Sequence, residues 1–149
     1  MSASPTHPFD GVDAPPPEGA TPAGAMSTLD AIAREMDLRS SQLAEVERRL
    51  EPVEIEYEAF VAAHEIGLWR RHESGELDGR WPSEQLRLRL ALADMPPELL
   101  GRHTGLVNLR KRLEKRIGAL KAAADAQRSI LSALKVEAEA SGFGGRRAA

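Results

Sequence analysis

The sequence predicts an all-α protein: a long antiparallel helical hairpin, coiled-coil-like, with a short helix at the tip and a disordered N-terminal tail. Three observations carry this. Apolar residues recur in alternating steps of three and four along two stretches of near-equal length, each close to 45 residues. The two stretches carry opposite charge: residues 1–69 hold 4 basic and 13 acidic side chains, whereas residues 70–116 hold 11 and 7. Prolines concentrate in residues 1–26, and a glycine-bounded turn with Pro82, Pro96 and Pro97 marks the connector between the arms.

Residues 1–26 contain six of the ten prolines and few large apolar side chains. Such a segment buries too little surface to offset the entropy of ordering it, so it is expected to be a disordered tail, as are residues 142–149 after the helix stop at Gly142. The domain proper spans 27–141. Ser27 and Asp30 suit a helix start, and from Leu29 the seam runs through Ile32, Met36, Arg39, Leu43, Val46, Leu50, Val53, Tyr57, Phe60, His64 and Gly67. Its phase is unbroken across Pro52, so one kinked but continuous helix is expected over 28–73. A short helix over 83–94 follows, begun by Pro82 and Ser83; its alternating leucines mimic a strand, but its residues are helix formers. Pro96 and Pro97 open the last helix, 97–141. Its seam visits Leu99, Leu106, Leu113, Ile117, Leu120, Ala124, Leu131 and Leu134, with His103, Arg110 and Gln127 among its polar members. Centred on the connector, facing positions sum to about 170, which sets Arg110, Lys111, Arg112, Lys115 and Arg116 opposite Glu54, Glu56 and Glu58.

The chain has no cysteine, which excludes thiolate zinc sites, disulfides and a cysteine nucleophile. No apolar run reaches the length of a membrane span, and no signal peptide is evident, so a soluble cytoplasmic protein is expected, with no membrane partner. His64, His72 and His103 lack a metal-ligand spacing, no nucleophile elbow or phosphate loop is present, and a two-helix hairpin has little concave interior. The expectation is a protein without catalytic residues, metal or cofactor, and not an enzyme.

What remains is surface. Ile55, Ala59, Ala62 and Ile66 on the first arm, and Leu109, Ala123, Ile130 and Ala133 on the second, widen the apolar stripes beyond what one partner helix covers. Ile55, Ile66, Leu109 and Ile130 are therefore the expected protein interface, its partner a second copy or an unidentified protein. A rival reading gives Trp69, Arg70, Arg71, Arg80, Trp81, Arg87 and Arg89 to single-stranded nucleic acid, arginine for phosphate and tryptophan for bases.

The segments EYEAFVAAHEIGLWR (56–70), GRWPSEQLRLRLALADMPPELL (79–100) and AAADAQRSILSALKVEAEASG (122–142) resemble a loose family of small uncharacterised proteins encoded by bacteriophages and prophages of actinobacterial hosts. The resemblance implies a phage accessory protein in the cytoplasm of the bacterial host, from a replication and recombination region or, in a third reading, a virion structural or scaffolding component. It brings no catalytic residue.

Overall fold

A computed structural model describes residues 7–18 and 21–146. Three helices account for most of them: α1 (Pro22–Glu73), α2 (Glu84–Asp94) and α3 (Pro97–Arg146), of 52, 11 and 50 residues. Among the described residues there is no strand, and no helix is long and apolar enough to cross a membrane. The topology is the all-α helical hairpin expected from the two seams. Its contacts divide into two compact units, the first formed by the described residues before Ala44 and after Arg110 and the second spanning Ala44–Arg110.

Every seam position of α1 from Leu29 to Gly67, and of α3 from Leu99 to Leu134, is buried or half-buried. In the first unit Ile32, Leu120 and Ala124 form the core, with Leu29, Met36 and Ala123 packed on them. In the second, Val53, Met95 and Leu99 gather Tyr57, Phe60, Val61, Leu92, Leu100 and Leu106. Pro52 lies inside α1 on its exposed side, so the helix continues past it. The Ser83 hydroxyl caps α2 by accepting the Leu86 amide at 3.3 Å. After α1, Gly75 takes φ +78°, a left-handed geometry that lets Gly75, Glu76 and Leu77 donate back to the last carbonyls of the helix.

Four expectations are corrected. Helix α1 starts at Pro22, six residues early: Thr21 Oγ accepts the Gly24 amide at 3.0 Å, and Ala25 is already fully buried. Thr21-Pro22 is itself a hydroxyl cap followed by a first-turn proline, a stronger start than Ser27. Within the expected disordered tail, residues 7–14 form turns closed by backbone hydrogen bonds and bury Val12; residues 1–6 and 19–20 lie outside the described ones. Helix α3 passes through Gly142 to Arg146, since a glycine costs a helix only about 1 kcal/mol and does not break it; residues 147–149 lie outside the described ones.

The fourth correction concerns register. The pairs Glu35–Arg116, Glu56–Arg102 and Glu54–Arg110 put facing positions at sums of 151, 158 and 164, below the expected 170. The cause is α2. It does not merely cap the tip but runs back along the last turns of α1, where Arg87 meets Glu65 at 2.8 Å and Asp94 meets His64 at 2.8 Å. Helix α3 therefore begins opposite the Val53–Phe60 stretch. Arg110 reaches Glu54 at 3.8 Å, but Arg112 and Arg116 find Asp13 and Glu35 instead, and Glu58, Lys111 and Lys115 have no ion pair among the described residues.

Leu113 and Leu120 are fully buried, so replacing either by alanine should cost about 2–5 kcal/mol in urea unfolding. Pro52→Ala restores a helical amide and relieves the ring's clash with the preceding turn, and should raise stability by up to about 3 kcal/mol.

Candidate functional site

The second unit presents an uncovered apolar stripe. Ile55, Ala59, Ala62, Ile66 and Trp69 follow one another on α1 in steps of four and three, the same spacing as the buried seam but turned away from it. All five are exposed, Ile55 by 64%, Ile66 by 54% and Trp69 by 46%. They extend about 21 Å along the helix. Trp81 in the connector before α2 stands beside the C-terminal end of this stripe and, with Ala62, Glu65, Ile66 and Trp69, lines an open groove of about 480 Å³. Leu86, Leu88 and Leu90 on α2 add exposed apolar surface to the same unit.

The four residues expected to form one interface are divided between the two units. Ile55 and Ile66 share the stripe. Leu109 is half-buried on α3 in the same unit. Ile130 belongs to the other unit, where it lines a groove of about 620 Å³ with Pro16, Pro17 and the alanine face Ala119, Ala122, Ala123 and Ala126.

The residues named for nucleic acid are partly brought together. Trp69 and Trp81 meet edge to face at 4.9 Å between ring centroids, and the His72 ring lies 5.8 Å and 5.5 Å from them. Arg87 sits 5.1 Å from the Trp81 ring, but it is committed: it also donates to Glu65 and, at 2.7 Å, to the Pro82 carbonyl. Arg71 lies 3.6 Å from Glu76. Arg70, Arg80 and Arg89 are exposed and have no ion pair among the described residues, while Glu73, Asp78 and Glu84 stand in the same stretches of chain. The arginines thus alternate with acids and do not make a continuous phosphate track.

The three helical histidines go to different places. His64 Nε2 faces Asp94 and leaves a buried Nδ1 with no hydrogen-bond partner among the described residues, His103 stacks on Tyr57 at 3.9 Å, and His72 joins the tryptophans.

One polar centre was not foreseen. Arg39 occupies a seam position of α1, and Arg116 lies on α3; they are 3% and 5% exposed. Glu35 joins them: Arg116 donates to both its oxygens, at 2.8 and 2.9 Å, and Arg39 Nε to one at 3.3 Å. Of the other guanidinium hydrogens, one from Arg39 goes to Gln42 Oε1 at 2.9 Å and others go to backbone carbonyls of residues 7–18. Arg39 donates to Pro8 at 3.3 Å and to Asp10 at 2.7 Å, Arg116 donates to Ala14, and Gln42 adds a bond to Pro8. Gly11, at φ +77°, makes the turn that aims the Asp10 carbonyl at Arg39. Hydrogen bonds from Arg116, then the charges of Arg116 and Arg39, hold the Glu35 carboxyl below the usual glutamate range, against burial acting the other way. Asp13 is held low chiefly by its hydrogen bonds from Arg112. The signals for this centre were present: an arginine in an apolar seam, and an Asp-Gly turn signal in the tail.

Glu35→Gln leaves two buried guanidinium groups without their counter-charge and should cost about 3 kcal/mol at neutral pH. Because the Glu35 pKa is lower in the folded chain, its contribution is complete above the ordinary carboxyl range and is lost as pH falls through the folded value. The gap between wild type and Glu35→Gln in thermal unfolding should therefore close in acid. No family model matches the chain, and no curated protein or solved structure matches it either.

Proposed function

We propose that the chain is a non-enzymatic helical assembly module that pairs with a second copy of itself through the outer stripe of α1. The observation that supports this reading is the stripe itself: five apolar positions at coiled-coil spacing, on a helix whose other seam is already filled. A packed isoleucine contributes about 1.5–3 kcal/mol, so burying Ile55 and Ile66 from each copy is enough to matter. The alternation of size favours an antiparallel partner. Ala59 and Ala62 leave room for Ile66 and Trp69 of a facing copy, and that arrangement brings the exposed Arg70 near Glu56 of the other chain. The resemblance to phage and prophage proteins agrees with an accessory or scaffolding protein, in which self-association is the activity.

The measurement is solution mass by light scattering at low and high salt. A salt-resistant dimer is expected, since an apolar seam is not screened. Ile55→Glu with Ile66→Glu should give a folded monomer, whereas Ile130→Glu, in the other unit, should leave the mass unchanged. A wild-type monomer, or a dimer indifferent to both stripe substitutions, overturns the proposal. A species that gains mass only with a single-stranded oligonucleotide, and only at low salt, favours the basic tryptophan surface instead.

A further inference from the structure

The segment that the buried arginines grip is held in an unusual way. Residues 8–14 cross the first unit as a strap whose main attachments are backbone carbonyls: Pro8 and Asp10 on Arg39, and Ala14 on Arg116. Carbonyls are acceptors that any chain can supply. Two features make the fit selective. Val12 is the strap's one fully buried side chain, at 4% exposure, and the Asp13 carboxylate takes Arg112 at 2.6 Å. Arg112 and Asp13 are both about half exposed or more, so their pairing is a surface contact and does not belong to the helical core.

The packing under the strap is incomplete. A crevice of about 120 Å³ remains among Val12, Asp13, Ala14, Arg112, Lys115, Arg116 and Ala119. Farther on, Pro16 and Pro17 border the open groove of about 620 Å³ along the alanine face of α3. The helices, for their part, have their own core in Ile32, Leu120 and Ala124, to which no strap residue contributes. The strap leads to α1 through Pro15, Pro16 and Pro17, whose fixed φ angles make a stiff connector that does not readily fold back on itself.

We infer that residues 8–14 are a ligand segment and that the surface built by Arg39, Arg112 and Arg116 is its receptor, able to take the same segment from a second copy, so that straps exchange between chains. The occupant in trans is named by the chain itself, which carries an acidic turn that fits the surface. In cis the tether supplies an effective concentration in the millimolar range, which is why the segment closes on its own chain when copies are dilute. Exchange of identical elements needs no new contacts, only a site and a segment that separate. This inference uses the first unit alone and does not depend on the outer stripe of α1.

The test uses full-length chains that all carry Ile66→Glu, which removes any pairing through α1's outer stripe. One chain bears Asp13→Lys and another Arg112→Glu; both positions are exposed, and circular dichroism should show unchanged helix content. Each chain alone has a strap mismatched to its own receptor, and its Val12 and Ala14 amides should exchange about tenfold faster than in the parent. Mixed at near-millimolar concentration, the two are matched only in trans. A one-to-one complex in sedimentation, with exchange at Val12 and Ala14 slowed again, is the expected result. A single chain carrying both Asp13→Lys and Arg112→Glu should recover protection as a monomer. Two species that sediment independently when mixed, at that concentration, would overturn the inference and leave the strap as a fixed clip.

Discussion

The point at which α3 begins governs what each helix can meet. In the second unit α2 runs back beside the last turns of α1, so those turns are packed by an 11-residue helix and not by the second arm. Val53, Met95 and Leu99 form the joint where the chain turns into α3. From that joint the facing residues follow: Tyr57 receives the His103 ring, Glu56 receives Arg102, and Glu54 receives Arg110. The stripe from Ile55 to Trp69 faces away from both packed partners and stays bare.

The first unit solves a different problem. Its seam contains a charge where a leucine would pack, and desolvating two guanidinium groups is expensive unless each donor finds an acceptor. Glu35 supplies the counter-charge, and it leaves over donors that point out of the seam. The strap supplies carbonyls to three of those donors, and the Gln42 side chain accepts from another. An apolar pair at these positions would have held the helices together without any need for residues 8–14. The arginines therefore couple a segment of low hydrophobicity to the hairpin, which explains how so proline-rich a stretch comes to be ordered at all.

Much of this was legible from residue spacing. The two seams, the continuity across Pro52, the Ser83 start of α2 and the Pro97 start of α3 all follow from periodicity and capping, which act locally. Local rules do not reach the register, because a connector of the same length can extend the hairpin or fold back along it, and only packing between α1 and α2 decides. They also missed the strap. Composition averages over residues 1–26 and reads disorder, whereas order there depends on two arginines far along the chain, Arg39 and Arg116. Of the surplus apolar residues, Ile55 and Ile66 are exposed in the second unit and Ile130 in the first, while Leu109 is half-buried; counting apolar positions does not tell which face of a helix each one occupies.

The placement of the aromatic rings has a practical side. Both tryptophans and the single tyrosine lie within Ala44–Arg110, with Trp69 and Trp81 4.9 Å apart. The intrinsic emission of this protein is thus a signal from one unit only, and an edge-to-face indole pair makes it sensitive to small movements there. The Arg39–Glu35–Arg116 centre and its strap are optically silent. An unfolding curve followed by emission watches one unit and a curve followed by helix content watches both, so their coincidence or separation reports whether the two units melt as one.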